Sequence, residues 1–266
     1  MQSWSKYQGS VGKCFSRRKK NYTYTKMKVK NNSAKRIGFH SIESIISFNP
    51  QKIKKLFIPY AREDKRIQAL ISLAEKNGIN FEVSKKLKQD PEAIISNEDN
   101  LNFKDLKEFL NNKKDEVVLL VLDNIIDPRN MGACIRSAAV LNVDAIIINK
   151  HHCAPLNEVV HNVSAGGVEV VKIFNVSNLI NCLKYLKDLN INIFGLSEHA
   201  DRNYLEENFK ESCALVMGSE ESGVRTKTSE NCNSLINLSG NKNFKSFNVS
   251  VATGIILSEV LRQRRY

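Results

Sequence analysis

Three short segments of this chain concentrate residue types that bind small ligands or handle charge. The first runs Asp123-Asn124-Ile125-Ile126-Asp127-Pro128-Arg129-Asn130-Met131-Gly132-Ala133-Cys134-Ile135-Arg136. It leaves an apolar run through an Asp-Pro turn and enters a helix predicted to open at Asn130. Asparagine is a good helix N-cap, and Gly132-Ala133 allow that helix to pack closely. Arg136 sits in the second turn beside Ile135 and the small Ser137-Ala138. A cation on a helix with a buried face calls for an anion, which is either a structural carboxylate or a ligand phosphate. The second segment, Met217-Gly218-Ser219-Glu220-Glu221-Ser222-Gly223, is bracketed by glycines, so its backbone can approach a ligand. It matches neither the dinucleotide fingerprint G-x-G-x-x-G nor the nucleophile elbow G-x-S-x-G. Its two acids suit a cationic or hydroxyl-bearing ligand better than a phosphate; a solvated acidic turn is the plain alternative. The third segment runs from Ser246-Phe247-Asn248 into a terminal helix that carries Gly254 in its interior. Ser246 or Asn248 would cap that helix. The interior glycine costs about 1 kcal/mol relative to alanine, which predicts tight packing against a neighbour.

Other constellations lead nowhere. His151-His152-Cys153 with His161 fits no standard zinc spacing, so no metal is expected. His40 and His199 are isolated, and no Ser/His/Asp set can be assigned. Six scattered cysteines without a C-x-x-C pair argue against a disulfide framework and for a reducing, cytoplasmic setting. No run approaches 18 apolar residues, so a membrane-spanning helix is not expected.

The elements that must position the three segments follow from hydrophobic periodicity. Val117–Leu122 is a continuous apolar run suited to a strand buried on both faces. Further strands are predicted at 145–148, 169–174, 191–196, 214–217 and 235–238, and helices at 133–141, 156–164, 179–189 and 249–264. This alternation predicts an α/β fold, a mostly parallel sheet with helices on both faces, in the domain 117–266. In such sheets ligands bind beyond the carboxyl ends of the strands, where all three segments fall. Residues 37–88 read as a small α/β domain and 89–116, rich in Asn, Lys and Asp, as a linker with one short helix. The net charge of +12 is unevenly placed: residues 1–36 hold eleven Lys/Arg and no acid, leaving +1 for the remainder. That stretch reads as a disordered basic arm, and three roles compete for it: an RNA-clinging tail, a targeting peptide, or an extension upstream of a start at Met27.

The segments N-x-G-A-x-x-R-S-A, L-V-M-G-x-E-x-x-G and S-x-N-V-S-V-A-x-G-I, in that order, resemble the three motifs of the TrmH branch of the SPOUT RNA 2′-O-ribose methyltransferases. Leu156-Asn157 and the closing Arg262-Gln263-Arg264 are similar to the bacterial members that methylate a 23S rRNA guanosine. Gly38-Phe39-His40 resembles the start of their L30e-like substrate-binding domain. The resemblance implies a deep trefoil knot in the carboxyl-terminal domain, S-adenosylmethionine as methyl donor, and a homodimer with active sites at its interface. It places Gly218, Leu238 and Phe247 at the cofactor, with Phe247 where relatives carry leucine. It puts Asn130, Arg136, Glu220, Ser246 and Asn248 at catalysis or RNA engagement. Relatives carry His-Gln-Gly before the linker where this chain has Pro91-Glu92-Ala93. The implied activity is 2′-O-methylation of a guanosine in 23S rRNA or a large-subunit assembly intermediate. A tRNA ribose methyltransferase and a catalytically silent ribosome-assembly factor are the alternatives. Arg136 is proposed as the base in the family, but a guanidinium of pKa about 12.5 or more is a reluctant proton acceptor, and a phosphate clamp suits it better.

Overall fold

The computed structural model describes residues 33–96, 100–219, 221–239, 241 and 246–265. The arm assigned to residues 1–36 therefore lies outside the described residues up to position 32. Its last part is a strand, β1 (Ser33–Ile37), which pairs antiparallel with β4 (Glu92–Ser96). β4 also pairs antiparallel with β2 (Ile53–Pro59), which runs parallel to β3 (Phe81–Ser84), giving the order β1-β4-β2-β3. Two corrections to the sequence reading follow: Lys35 and Arg36 belong to a sheet rather than an arm, and the tract 89–116 is not a plain linker. Only Ala93 and Ile95 of β4 face the core, an alternation too short to stand out within a polar stretch. Ala93 and Ile95 meet Ile42, Ile45 and Ile46 of helix α1 (Phe39–Phe48), and Ile67, Leu70 and Ala74 of α2 (Lys65–Lys76). The Asp64 carboxylate caps α2 by accepting from the Arg66 and Ile67 amides at 3.0 Å each.

The larger sheet holds six parallel strands in the order β10-β8-β9-β5-β6-β7. These are β5 (Val118–Leu122), β6 (Ala145–Asn149), β7 (Lys172–Val176), β8 (Asn192–Leu196), β9 (Cys213–Met217) and β10 (Ser234–Ile236). Every residue of β5, β6 and β9 is buried, which is what their unbroken apolar runs require of central strands covered on both faces. One face is covered by α3 (Phe103–Asn111), from the tract read as a linker, and α7 (Leu179–Asp188), through Leu106, Leu110, Leu179, Cys182, Leu183 and Leu186. The other is covered by α4 (Pro128–Val140), α5 (Glu158–Ser164) and, after the short α8 (Thr226–Ser229), α9 (Val249–Arg265). Residues 167–170 form one helical turn, α6 (Gly167–Val170), where an extended start to β7 was expected. Its entry at Gly166 has φ +92, open to glycine at little cost.

The small sheet is joined to this second face by buried polar contacts. The Arg36 guanidinium lies 2.8 Å from His161 Nε2, with both side chains buried. Lys52 Nζ stands 3.4 Å from the buried Glu169 carboxylate, and the Asn49 side-chain amide donates to the Glu169 carbonyl at 3.1 Å. A Cβ on Gly166 would meet Ser44 Oγ at 2.0 Å, and one on Gly167 would meet the Arg136 Cα at 3.3 Å, so the two glycines let the start of α6 fit closely between α1 and α4.

Candidate active site

In the sheet order, β5 is flanked by β6 on one side and β9 on the other. The chain leaving β5 and the chain leaving β9 therefore depart from adjacent strands at the point where the winding reverses, where open α/β sheets place their ligands. The two loops are tied at their bases: the Asp123 amide donates to the Met217 carbonyl at 2.9 Å. Asp123 itself is fully buried and pairs with Arg225, at 2.5 Å from Nη2 and 3.1 Å from Nε. This ion pair locks the segment after Gly223 to the segment after β5. The sequence reading missed both partners; the signal was an acid immediately beyond a wholly apolar strand, which must be paired if buried.

The first helix does not open at Asn130. Asp127 is its N-cap, its side chain accepting from the Arg129 amide at 2.8 Å, and Pro128 occupies the first turn, where a missing N–H costs nothing. Asn130 is thereby released from capping, and its Oδ1 accepts from Asn248 Nδ2 at 3.1 Å. Asn248 in turn accepts from the Ser250 amide at 2.9 Å and from Ser250 Oγ at 2.6 Å, at the start of α9. One side chain thus joins the first and third segments. Deeper in, Cys134 Sγ and Thr253 Oγ1 lie 3.3 Å apart where α4 crosses α9.

Ser246 and Phe247 precede Asn248, both exposed, Phe247 at 43%. Ile126 in the first loop is 71% exposed. Two large apolar side chains left to solvent in loops at one sheet edge suit an apolar part of a ligand. Leu238, two residues past β10, is half-buried against the core. Gly218 is buried, and a Cβ there would meet the Gly223 carbonyl carbon at 2.0 Å and the Val224 nitrogen at 2.2 Å. Its close approach is to its own loop, which is closed by reciprocal Ser219–Gly223 backbone bonds of 3.0 and 2.9 Å, rather than demonstrably to a ligand. Glu220 lies outside the described residues. The close neighbour expected at Gly254 is not found among the described residues: none of their atoms stands within 4 Å of a Cβ built on it.

Arg136 is exposed, and its side chain makes no ion pair or hydrogen bond among the described residues, so no described carboxylate fills the structural alternative. Six residues past Asn130, it projects about 120° away around the helix and about 9 Å along it, so the two are not brought together. Burial pushes the Cys153 thiol up; it donates to the Leu122 carbonyl at 3.2 Å and is no nucleophile. Among the described residues no group of three His, Cys, Asp or Glu side chains is arranged to hold a metal ion, and no helix is long and apolar enough to cross a membrane.

Comparison with known proteins bears on this geometry directly. Residues 117–258 match the SpoU rRNA Methylase family, and residues 37–89 match the RNA 2′-O ribose methyltransferase substrate binding domain. The chain belongs to the SpoU rRNA methylase family. Among its relatives, the 23S rRNA (guanosine-2′-O-)-methyltransferase RlmB of Blochmanniella floridana is 38% identical over 86% of this chain and 94% of its own. The RlmB of Escherichia coli K12 is 34% identical over 85% of this chain and 97% of its own. The SpoU methyltransferase AviRb from Streptomyces viridochromogenes, solved in complex with AdoMet, shares the fold with a TM-score of 0.70 at 18% identity, over 88% of this chain and 91% of that one. The SpoU family match thus covers the whole parallel sheet and the three loops at its carboxyl edge.

Proposed function

We propose that this SpoU methylase transfers a methyl group from S-adenosylmethionine to the ribose 2′-hydroxyl of a guanosine in large-subunit rRNA. Support comes from its RlmB relatives, which align along nearly their whole length, and from one observation at the site. The Asn248–Asn130 bond joins the first and third motif segments where the fold places ligands. S-adenosylmethionine, once bound, supplies an electrophilic methyl. The residues available to hold it are the backbone of the loop that Gly218 closes, half-buried Leu238 and exposed Phe247, a mixture of main chain and apolar surface that fits an adenosine.

The chain's own part in the reaction is to orient and to compensate charge. Asn130 and Asn248, fixed by each other, offer hydrogen-bonding groups in a set geometry, and Ser246 stands beside them in sequence. Arg136, with no carboxylate partner among the described residues, serves in this reading as a clamp on an RNA phosphate that offsets alkoxide charge as the hydroxyl loses its proton. To Glu220, outside the described residues, this reading assigns a role in the cofactor loop.

The same reading makes the protein a homodimer. A groove of about 590 Å³ runs over Val251, Gly254, Ile255 and Ser258 of α9, beside Tyr204, Glu259 and Arg262. Val251 is 50% exposed in it. An interior glycine with open space above it and an apolar helix face beside it suit a helix from a second copy. The trefoil knot and a cytoplasmic location belong to this proposal as well. Titration calorimetry with S-adenosylmethionine tests it: micromolar binding by the wild type, kept in Arg136→Ala while methyl transfer is lost, is expected. Absence of binding would overturn the reading in favour of a silent RNA-binding factor.

A further inference from the structure

The carboxyl edge of the small sheet carries a cluster that the site above does not use. Here the chain leaves β1 at Gly38-Phe39-His40, β2 at Tyr60-Ala61-Arg62 and β3 at Lys85, and it enters β4 from Asp90-Pro91. Tyr60 N–H to the Ser84 carbonyl at 3.1 Å and Gly38 N–H to the Pro91 carbonyl at 3.0 Å hold these turns together. Tyr60 is 58% exposed, with Lys85 Nζ 5.4 Å from its ring centre. Two guanidinium groups stack on the buried Phe39 ring, Arg62 at 4.7 Å and Arg66 at 4.4 Å, and Arg66 Nη2 lies 3.1 Å from His40 Nε2. Arg62 is committed to Asp64 and to the Gln89 carbonyl, and Glu43 stands 3.7 Å from His40. Arg66 and Lys85 have no carboxylate partner among the described residues. An exposed ring with a cation over it, at the same end of the sheet as a guanidinium stacked on a buried aromatic, offers one surface to stack an unpaired base and another to take a phosphate.

The edge is also close to the site. A Cβ on Gly166 would meet the His40 carbonyl oxygen at 3.1 Å, and one on the next residue, Gly167, would meet the Arg136 Cα at 3.3 Å. With 3.8 Å between consecutive Cα atoms, His40 and Arg136 are no more than about 13 Å apart along this route. A strand held at His40 and Arg66 thus needs only a few nucleotides to reach Arg136.

We propose that Tyr60, Lys85 and Arg66, oriented by Phe39 and His40, form a single-stranded RNA subsite that seats a nucleotide flanking the target, Tyr60 stacking its base and Arg66 holding its phosphate. This rests on the reading of the protein as an rRNA methyltransferase and names how that substrate is gripped. Shape recognition of duplex RNA would need no exposed ring, so the subsite selects unpaired RNA.

The test uses the full chain and large-subunit rRNA, reading methylation KM and kcat together with direct rRNA binding by filter retention. Tyr60→Ala is expected to raise KM and Kd about tenfold with kcat little changed, and Tyr60→Phe to restore both, since the ring and not the hydroxyl stacks. Arg66→Gln is expected to weaken binding and lower the slope of log K against log salt by about one. Unchanged thermal midpoints and S-adenosylmethionine affinity show that the variants are folded. Wild-type KM and Kd in both Tyr60→Ala and Arg66→Gln would overturn the subsite, as would loss of binding in Tyr60→Phe equal to that in Tyr60→Ala. Wild-type rRNA binding that depends on Tyr60 but brings no methylation would instead overturn the methyltransferase reading and leave the subsite standing.

Discussion

Replacing Gly218 by alanine brings a methyl group to 2.0 Å from the Gly223 carbonyl carbon and 2.2 Å from both the Gly223 oxygen and the Val224 nitrogen. All three neighbours are backbone, so no side chain can swing aside. Reaching even the 3.0 Å that real Cβ contacts respect requires a shift of about 1 Å. On one side of Gly218 lies β9, buried throughout and hydrogen-bonded to β5 and β8; on the other is the loop closed by the two Ser219–Gly223 bonds. The loop is the softer element and should give. Losing two backbone bonds at about 1 kcal/mol each, with residual overpacking, costs about 2–3 kcal/mol. If the closed loop is what S-adenosylmethionine needs, the same energy appears in binding, as a loss of about 30- to 150-fold in affinity. Gly223→Ala is the informative control. No described residue lies within 4 Å of its added Cβ, but its φ of +64 costs a non-glycine residue about 1–2 kcal/mol while leaving the loop its shape. Titration calorimetry and thermal unfolding on both variants should show Gly218→Ala with the larger affinity loss. Wild-type affinity in Gly218→Ala, or a greater loss in Gly223→Ala, would refute the reasoning.

Further expectations concern separate parts of the molecule. Arg136→Lys should retain part of kcat and Arg136→Ala should lose about a hundredfold or more, as a phosphate clamp requires; equal loss in both would point to bidentate or base chemistry. Val251→Arg, placing a charge in the apolar groove of α9, should convert a dimer to a monomer in light scattering; an unchanged mass would put the interface elsewhere. Lys52→Ala strands the buried Glu169 carboxylate and should lower stability by about 2–4 kcal/mol in urea unfolding, a cost that an isolated surface pair would not show. Burial pushes the thiols of Cys182 and Cys232 up to about 12 and that of Cys213 up to about 11. The unfolded chain ionises these thiols from about pH 9, so their share of stability is complete below that pH and falls as pH rises toward 11–12. Alkylation at neutral pH followed by mass spectrometry should find Cys182 and Cys213 unmodified until the protein is unfolded.

The large sheet was readable from sequence because its strands are unbroken apolar runs and its helices keep a period near 3.6; Val118–Leu122 and Leu179–Asp188 are clear in either reading. What escaped depended on partners distant in the chain. β4 is a strand because β1 and β2 lie on either side of it, and nothing within Glu92–Ser96 announces them. The start of α4 turned on two good caps three residues apart. Asp127 won because Pro128 fits the first turn, and this freed Asn130 for the bond to Asn248. Gly254 suggested close packing against some neighbour; none of the described residues fills the space above it, which leaves that place to a second copy. Arg36, counted as part of an arm, is buried against His161 of the other sheet's helical layer, a pairing across 125 residues that no local pattern encodes. The candidate site residues were proposed mainly from the order of three motifs; the Asp123–Arg225 pair that ties two of those segments together has no such local signature.

The most direct test of the account is transfer of radiolabelled methyl from S-adenosylmethionine to total RNA from cells lacking the corresponding enzyme, resolved by size and mapped for 2′-O-methyl positions. The expected result is label in large-subunit rRNA at a guanosine ribose, abolished in Arg136→Ala. Label confined to tRNA, or none on naked RNA and ribosome-assembly particles alike, would contradict it.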